Sequence, residues 1–362
     1  MRAFAAASLR RRPFSLASVA FAIVCAAPAA ALAWACGGDQ FVAGSEDGGQ
    51  SVSADQACGD NAHDRCTRLQ ECSAEQMTVD YGSEGACETR LKLNCLNAIA
   101  APSSGNTAAR SEACAQAYAT ESCTDLLDDN PPPSCVQATG SLANGEPCAF
   151  PGQCQTGFCA IVPGAGCGTC AAAPVAGASC LTLTTCGQVL SCITSVTTCS
   201  SFAPQGEPCS KSALCGTGLY CVGSTNTTPG TCDSAVEDAG APCDPAAKNG
   251  PGCDRQQGLT CSSVTRSCAP LPPYAVAGQP CGTIDGVLVV CGGAGVCNAT
   301  GADAGPDAAP DASPPFTCVV PAADSAECNL AVGPGCLSPA RCIAADGGVS
   351  GTCQFPNADL CP

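Results

Sequence analysis

The sequence predicts a small disulfide-rich fold, an N-terminal disulfide-tied helical bundle followed by tandem short β-hairpin and loop modules. Three observations carry that prediction. Cysteine fills 36 of 362 positions, a density found in extracellular domains too small to build an apolar core. Forty glycines and 29 prolines interrupt the apolar runs beyond residue 36, which favours many short units over a few large ones. From Gly145 onward the chain repeats a Gly-x-Pro-Cys opening or a close relative of it.

The elements follow in order. Residues 1-35 read as a signal peptide, with a basic start ending in Arg10-Arg11-Arg12, an apolar stretch from Phe14 to Leu32 and a small-residue exit at Ala33-Trp34-Ala35. Arg11-Arg12-Pro13-Phe14 is similar to a twin-arginine signal, but that route carries folded proteins, and disulfides do not form in a reducing cytosol. General secretion is the expected route. Leu32-Ala33-Trp34-Ala35-Cys36-Gly37-Gly38-Asp39 resembles a bacterial lipobox, which makes Cys36 the candidate lipid anchor. Parity points the same way: removal of leader Cys25 and commitment of Cys36 to lipid leave 34 cysteines, an even number that can pair completely. Residues 36-52, rich in Gly, Ser, Asp and Gln, are expected to be a flexible tether. The chain is thus expected to be exported and lipid-anchored at the outer cell envelope, or else secreted.

Charge narrows the partners. The chain carries 14 basic and 31 acidic residues, and a leader holding Arg2, Arg10, Arg11 and Arg12 but no acid leaves ten against 31 after cleavage, a net of −21. Such a surface repels phosphate backbones, so nucleic acid is excluded as a partner, and acidic side chains keep a cysteine-rich chain soluble.

Residues 53-135 form a helical domain carrying Cys58, Cys66, Cys72, Cys87, Cys95, Cys114, Cys123 and Cys135. Ser53 with Gln56 makes a capping-box start for a helix running to about Cys72, and Cys87, Leu91 and Cys95 share one helical face between Gly85 and Ala100. Thr107 caps a third helix that carries Cys114, Ala117 and Tyr118 and is expected to stop at Asp128-Asp129-Asn130, before Pro131-Pro132-Pro133.

Residues 145-361 divide into six repeats. Gly145-Glu146-Pro147-Cys148 opens 145-176, with Cys154, Cys159, Cys167 and Cys170; Gly177-Ala178-Ser179-Cys180 opens 177-205, with Cys186, Cys192 and Cys199. Gly206-Glu207-Pro208-Cys209 opens 206-239, with Cys215, Cys221 and Cys232; Gly240-Ala241-Pro242-Cys243 opens 240-277, with Cys253, Cys261 and Cys268. Gly278-Gln279-Pro280-Cys281 opens 278-324, with Cys291, Cys297 and Cys318, and Ser325-Ala326-Glu327-Cys328 opens 325-361, with Cys336, Cys342, Cys353 and Cys361. Units of roughly thirty residues are held by disulfides rather than by a core. Residues 299-315, with their low-complexity Asp-Ala-Pro stretch, are expected to be a disordered loop.

Pro208-Cys209-x5-Cys215-Gly216-x3-Tyr220-Cys221 with Cys232, and Pro147-Cys148-x5-Cys154-x4-Cys159 with Cys167-x2-Cys170-x9-Cys180, resemble the N-terminal cysteine-rich domain of Dickkopf proteins. The spacing across 145-361 also resembles the tandem Dickkopf-like repeats of exported proteins and lipoproteins of myxobacteria, which often follow a helical cysteine-containing segment. The resemblance implies export and a surface role; Wnt-receptor inhibition does not transfer with cysteine spacing.

Candidate chemistry is sparse. Cys167-x2-Cys170 has the spacing of half a zinc site or a redox pair, yet the single histidine, His63, lies in another unit and no βαβ context surrounds the pair, so disulfide use is expected. His63, between Asp60 and Asp64, reads as a surface residue. Asp128-Asp129 reads as a solvated turn rather than a hydrolytic or calcium-binding pair. Asn226-Thr227-Thr228 and Asn298-Ala299-Thr300 are glycosylation sequons, relevant in a eukaryotic host. The sequence shows no phosphate loop, nucleophile elbow or catalytic triad. The expected function is a non-catalytic extracellular binding or adhesion module that uses no cofactor and no metal and meets a protein or glycan. The alternatives are a protease-resistant structural spacer and, last, a carboxylate-dependent hydrolase.

Overall fold

The computed structural model describes residues 52–361 except 182, 184, 188–189, 194–196, 211–212, 226, 273, 285–286, 300–315, 332 and 345–347. The expected leader, the anchor candidate Cys36, the tether up to Ser51, the Asp-Ala-Pro stretch and Asn226 lie outside these residues.

Five helices come first: α1 (Ala54–Cys72), α2 (Ala74–Asp80), α3 (Glu84–Ala100), α4 (Ala108–Tyr118) and α5 (Cys123–Leu127). Each begins on a hydroxyl. The side chains of Ser53, Ser73, Ser83, Thr107 and Ser122 accept from the N–H groups of Gln56, Gln76, Ala86, Arg110 and Asp125, satisfying donors that a helix start leaves open. α1 packs along α3 and α4. Disulfides Cys58–Cys95 and Cys66–Cys87 sew α1 to α3, Cys72–Cys123 ties the end of α1 to the start of α5, and Cys114–Cys135 ties α4 to the following turn. The bundle's interior is Cys66, Met77 and Cys87 with Leu69, Tyr81 and Leu91 against them.

Two local readings need correction. The helix expected from Thr107 to Asp128 is two helices, because Tyr118 ends α4 and Ser122 caps a new one whose first residue, Cys123, is bonded back to Cys72. Ser73 ends α1 in an extended conformation (φ −157°) and caps the unexpected α2.

The repeats share one frame. In the third, strand Pro208–Cys209 and strand Leu219–Val222 flank the central strand Gly230–Ser234, all antiparallel. The first and sixth repeats have the same three-stranded order. In the second, fourth and fifth the first strand shrinks to a single bridge, Ser179 to Thr198, Pro242 to Ser267 and Pro280 to Thr317. With Cys167 and Cys361 set aside, each module has four frame cysteines, of which the third and fourth stand directly opposite in the hairpin ladder, as Cys159 and Cys170 or Cys221 and Cys232 do, yet they do not bond to one another. Each reaches back to an earlier cysteine, first to third and second to fourth: Cys148–Cys159 with Cys154–Cys170, Cys180–Cys192 with Cys186–Cys199, Cys209–Cys221 with Cys215–Cys232, Cys243–Cys261 with Cys253–Cys268, Cys281–Cys297 with Cys291–Cys318, and Cys328–Cys342 with Cys336–Cys353. The module interiors are largely these sulfurs, with Ile161 or Leu259 added in the first and fourth. Ala299, placed by sequence in a disordered loop, ends strand Val296–Ala299 and pairs with Phe316, since the hairpin ladder runs that far.

The opening glycine has one task in every module. The N–H groups of Gly145, Gly177, Gly206, Gly240 and Gly278 donate to the carbonyls of the last frame cysteines Cys170, Cys199, Cys232, Cys268 and Cys318, from backbones at φ +74° to +94°. That left-handed conformation is one a side chain disfavours. A Cβ at these five glycines would meet nothing within 4 Å, so conformation rather than crowding selects glycine. Ser325 makes the same bond to Cys353 at φ +67°.

A linear row of modules is not what the chain forms. The extra cysteine of the first repeat and the last of the sixth join as Cys167–Cys361, across 194 residues. Arg341 of the sixth repeat donates to the carbonyls of Gly166 and Ala149 in the first, and the N–H of Ala344 donates to Gly164. The helices supply the rest of the joint. Arg90 of α3 makes a two-pronged bond to Asp324 at 2.7 and 2.8 Å, donates to the carbonyls of Leu337 and Ser338, and lies 4.4 Å from the Phe355 ring centre. The repeats therefore close into a ring fastened to the bundle.

Candidate functional site

The bundle and the middle repeats meet around a chamber of about 600 Å³. α1 contributes Arg65 and Leu69, α2 contributes Glu75 and Val79, and α5 contributes Leu126 and Leu127; the third repeat adds Gly216 to Tyr220, the fourth Asp254 to Gln256, and the fifth Val290. Specific bonds set its walls. Arg255 pairs with Glu75, its Nε 3.0 Å from Oε1. The N–H of Thr217 donates to Asp128 Oδ1 at 2.7 Å, and the N–H groups of Gly293 and Ala294 donate to the carbonyls of Thr78 and Val79. At Gly216 a Cβ would lie 2.8 Å from Asp128 Oδ2, so glycine permits this approach of the third repeat to the bundle. Asp128 is therefore an inter-module bond and not the solvated turn the sequence suggested.

A second cavity, about 400 Å³, adjoins the first and shares Arg65, Leu126 and Asp129 with it. The Arg65 guanidinium carbon sits 5.6 Å from the centre of the Tyr118 ring, and Tyr118, with more distant Tyr81, Asp129 and Glu121, favours its charged form. Among the described residues no oxygen accepts a hydrogen bond from the Arg65 guanidinium. Glu121 also lines this cavity. It is 7% exposed, and neither carboxylate oxygen has a hydrogen-bond partner. Burial pushes its carboxyl up to about 7, against the pull of Arg65 and Arg68. In the larger chamber burial also raises Asp80, opposed by its hydrogen bond from Gln76, and raises the phenols of Tyr81 and Tyr220, opposed by Arg65 and Arg255 respectively.

Both linings combine charged side chains with apolar ones. Neither holds an imidazole, and the cysteines in them, Cys87, Cys95, Cys114 and Cys135, are all in disulfides. His63 stands elsewhere, exposed, its Nδ1 2.6 Å from Glu88 Oε1, and that contact raises its pKa. Cys167 and Cys170 are bonded to Cys361 and Cys154, not to each other. The sulfurs that crowd within 4.8 Å in the modules, such as those of Cys148, Cys154 and Cys170, are likewise disulfide sulfurs rather than thiolates. Asn298 lies in the strand that ends at Ala299. The cavity-lining residues Arg65, Tyr81 and Glu121 carry no sequence signal because they are scattered single residues without a motif; the chain crossings that gather them are visible only in three dimensions.

Comparison with known proteins finds no matching family model, no matching curated protein and no matching solved structure. Among the described residues no helix is long and apolar enough to cross a membrane. The dense disulfide network belongs to an oxidising environment.

Proposed function

We propose that the chain is an exported, non-catalytic binding protein of the cell envelope, anchored through a lipid on Cys36, whose Dickkopf-like modules present loops to an extracellular protein or glycan. The observation that supports this reading is a constant frame with changing loops. The first-to-third bond spans between 11 and 18 residues and the second-to-fourth between 13 and 27, so the cross-links hold while the connecting segments vary, as in scaffolds that display binding loops. Several hairpin tips carry exposed apolar side chains: Val162 is 49%, Val264 79% and Val349 52% exposed.

The test is binding of the purified, oxidised protein to cells of the host, compared with a Val162→Asp, Val264→Asp, Val349→Asp variant that keeps every cysteine. Loss of binding with the disulfides intact is the expected result; unchanged binding removes the loop-display reading. A second reading, a protease-resistant spacer, draws on the Cys167–Cys361 ring closure. It expects the tip substitutions to leave both envelope integrity and protease resistance unchanged. Metabolic lipid labelling lost in Cys36→Ala tests the anchor.

A further inference from the structure

We infer that the chamber around Arg65 is a binding site for a small organic carboxylate with an apolar body, held by the Arg65 guanidinium and the Tyr81 hydroxyl. The inference is independent of the surface role proposed above, since none of the hairpin-tip valines lines the chamber.

The first ground is an unanswered donor set. Arg65 is half-buried, stacked near the Tyr118 ring and lines both cavities, and none of its guanidinium N–H groups meets a protein acceptor among the described residues. A guanidinium fork removed from bulk water is matched best by a carboxylate, two N–H groups to two oxygens. The Tyr81 hydroxyl likewise has no hydrogen-bond partner among the described residues, and its phenol is close enough to Arg65 for each to feel the other's charge.

The competing carboxylates do not answer Arg65. Glu75 is paired with Arg255, Asp80 accepts from Gln76 at 2.6 Å, and Asp254 accepts from the N–H of Gln256 at 2.9 Å. Asp129 is exposed, where water screens it. Glu121 lies near enough to act on Arg65 through space without bonding to it.

The second ground is the rest of the lining. Leu69, Leu91, Leu126, Leu127 and Val290 surround the charged group, and about 600 Å³ is within the range of small-molecule sites. Inorganic anions leave that apolar wall unfilled. A carboxylate on a hydrocarbon or aromatic body satisfies both the guanidinium and the leucines.

The experiment titrates octanoate into the oxidised full-length mature protein by calorimetry, with 1-octanol (the body without the charge) and inorganic phosphate (charge without the body) as parallel probes. The expected result is saturable one-to-one octanoate binding with Kd at or below about 1 mM, at least tenfold tighter than either parallel probe, and weakened at least tenfold in Arg65→Gln. Absence of saturable binding, octanol or phosphate binding as well as octanoate, or an unchanged Kd in Arg65→Gln overturns the inference. Should Arg65→Gln fail to form its disulfides, Tyr81→Phe decides: it keeps the buried ring, and a Kd weakened severalfold supports the site while an unchanged Kd overturns it.

Discussion

Glu121 shows how a single residue couples the fold to pH. Its carboxyl is buried without a donor, and its folded value of about 7 lies above the ordinary 4.5. Burial is the largest cause; Asp125 and Asp129 push in the same direction, while Arg65 and Arg68 oppose it. Because the folded value is raised, this group's contribution to stability is fullest below pH 4.5 and falls as pH climbs through 7. Denaturant unfolding of the oxidised chain between pH 5 and 8 is expected to show declining stability that flattens in Glu121→Gln; a parallel decline in both proteins contradicts the assignment. The module-opening residues make a second case. Gly206 stands at φ +84° with open space beyond its Cα, so Gly206→Ala is expected to cost about 1 kcal/mol through backbone conformation alone. Ser325 holds the same geometry with a side chain at φ +67°, and Ser325→Gly is expected to gain about 0.5 kcal/mol. Unfolding midpoints of the two variants, shifted in opposite directions, check the pair.

At the scale of the element, the module is a sulfur core with a hairpin around it. In the third repeat Cys209 and Cys232 are each 1% exposed, and among the described residues of the repeat no large apolar side chain is fully buried beside them. Removing one bond with Cys209→Ala and Cys221→Ala is expected to cost about 2-4 kcal/mol locally and to speed amide exchange across Gly230–Ser234 while leaving α1 unchanged; exchange mass spectrometry reads both. Uniform loosening of the whole chain is the contrary outcome. The elements also show what was legible in the sequence. Caps and cysteine spacing are local signals, so Ser53, Thr107 and the six module openings could be read directly, and Ser73-Ala74-Glu75-Gln76 carried the same signature for the overlooked α2. Pairing is not local. Eight cysteines alone admit 105 arrangements, and the first-to-third, second-to-fourth rule becomes apparent only when the strands are laid side by side. The chamber was hidden for a stronger reason: Arg65, Tyr81 and Asp254 come from segments up to about 190 residues apart, and nothing in the neighbourhood of any one of them requires the others.

Over the whole molecule the governing feature is closure. Its trace in the sequence was arithmetic, a fifth cysteine in the first repeat and another in the sixth, and Cys167–Cys361 is how that surplus resolves. An unbranched loop of 194 residues closed by a disulfide would be worth about 5 kcal/mol in chain entropy. The other cross-links already shorten the free path between its ends, Arg341 holds the same joint without covalent help, and Arg90 fastens the sixth repeat to the bundle beside it. The bond is therefore expected to contribute well under that figure. Cys167→Ala with Cys361→Ala should cost about 2 kcal/mol, with faster exchange confined to the seam at Gly164 to Cys167 and Arg341 to Cys361. Arg90→Met should cost about as much, because it leaves the carbonyls of Leu337 and Ser338 without their donor and Asp324 without its pair. Combining both changes is the decisive measurement. If disulfide and arginine secure one joint, the combined loss differs from the sum of the separate losses, since the second cut acts on a seam the first has already opened. Strict additivity would mean that the ring is held at two independent places.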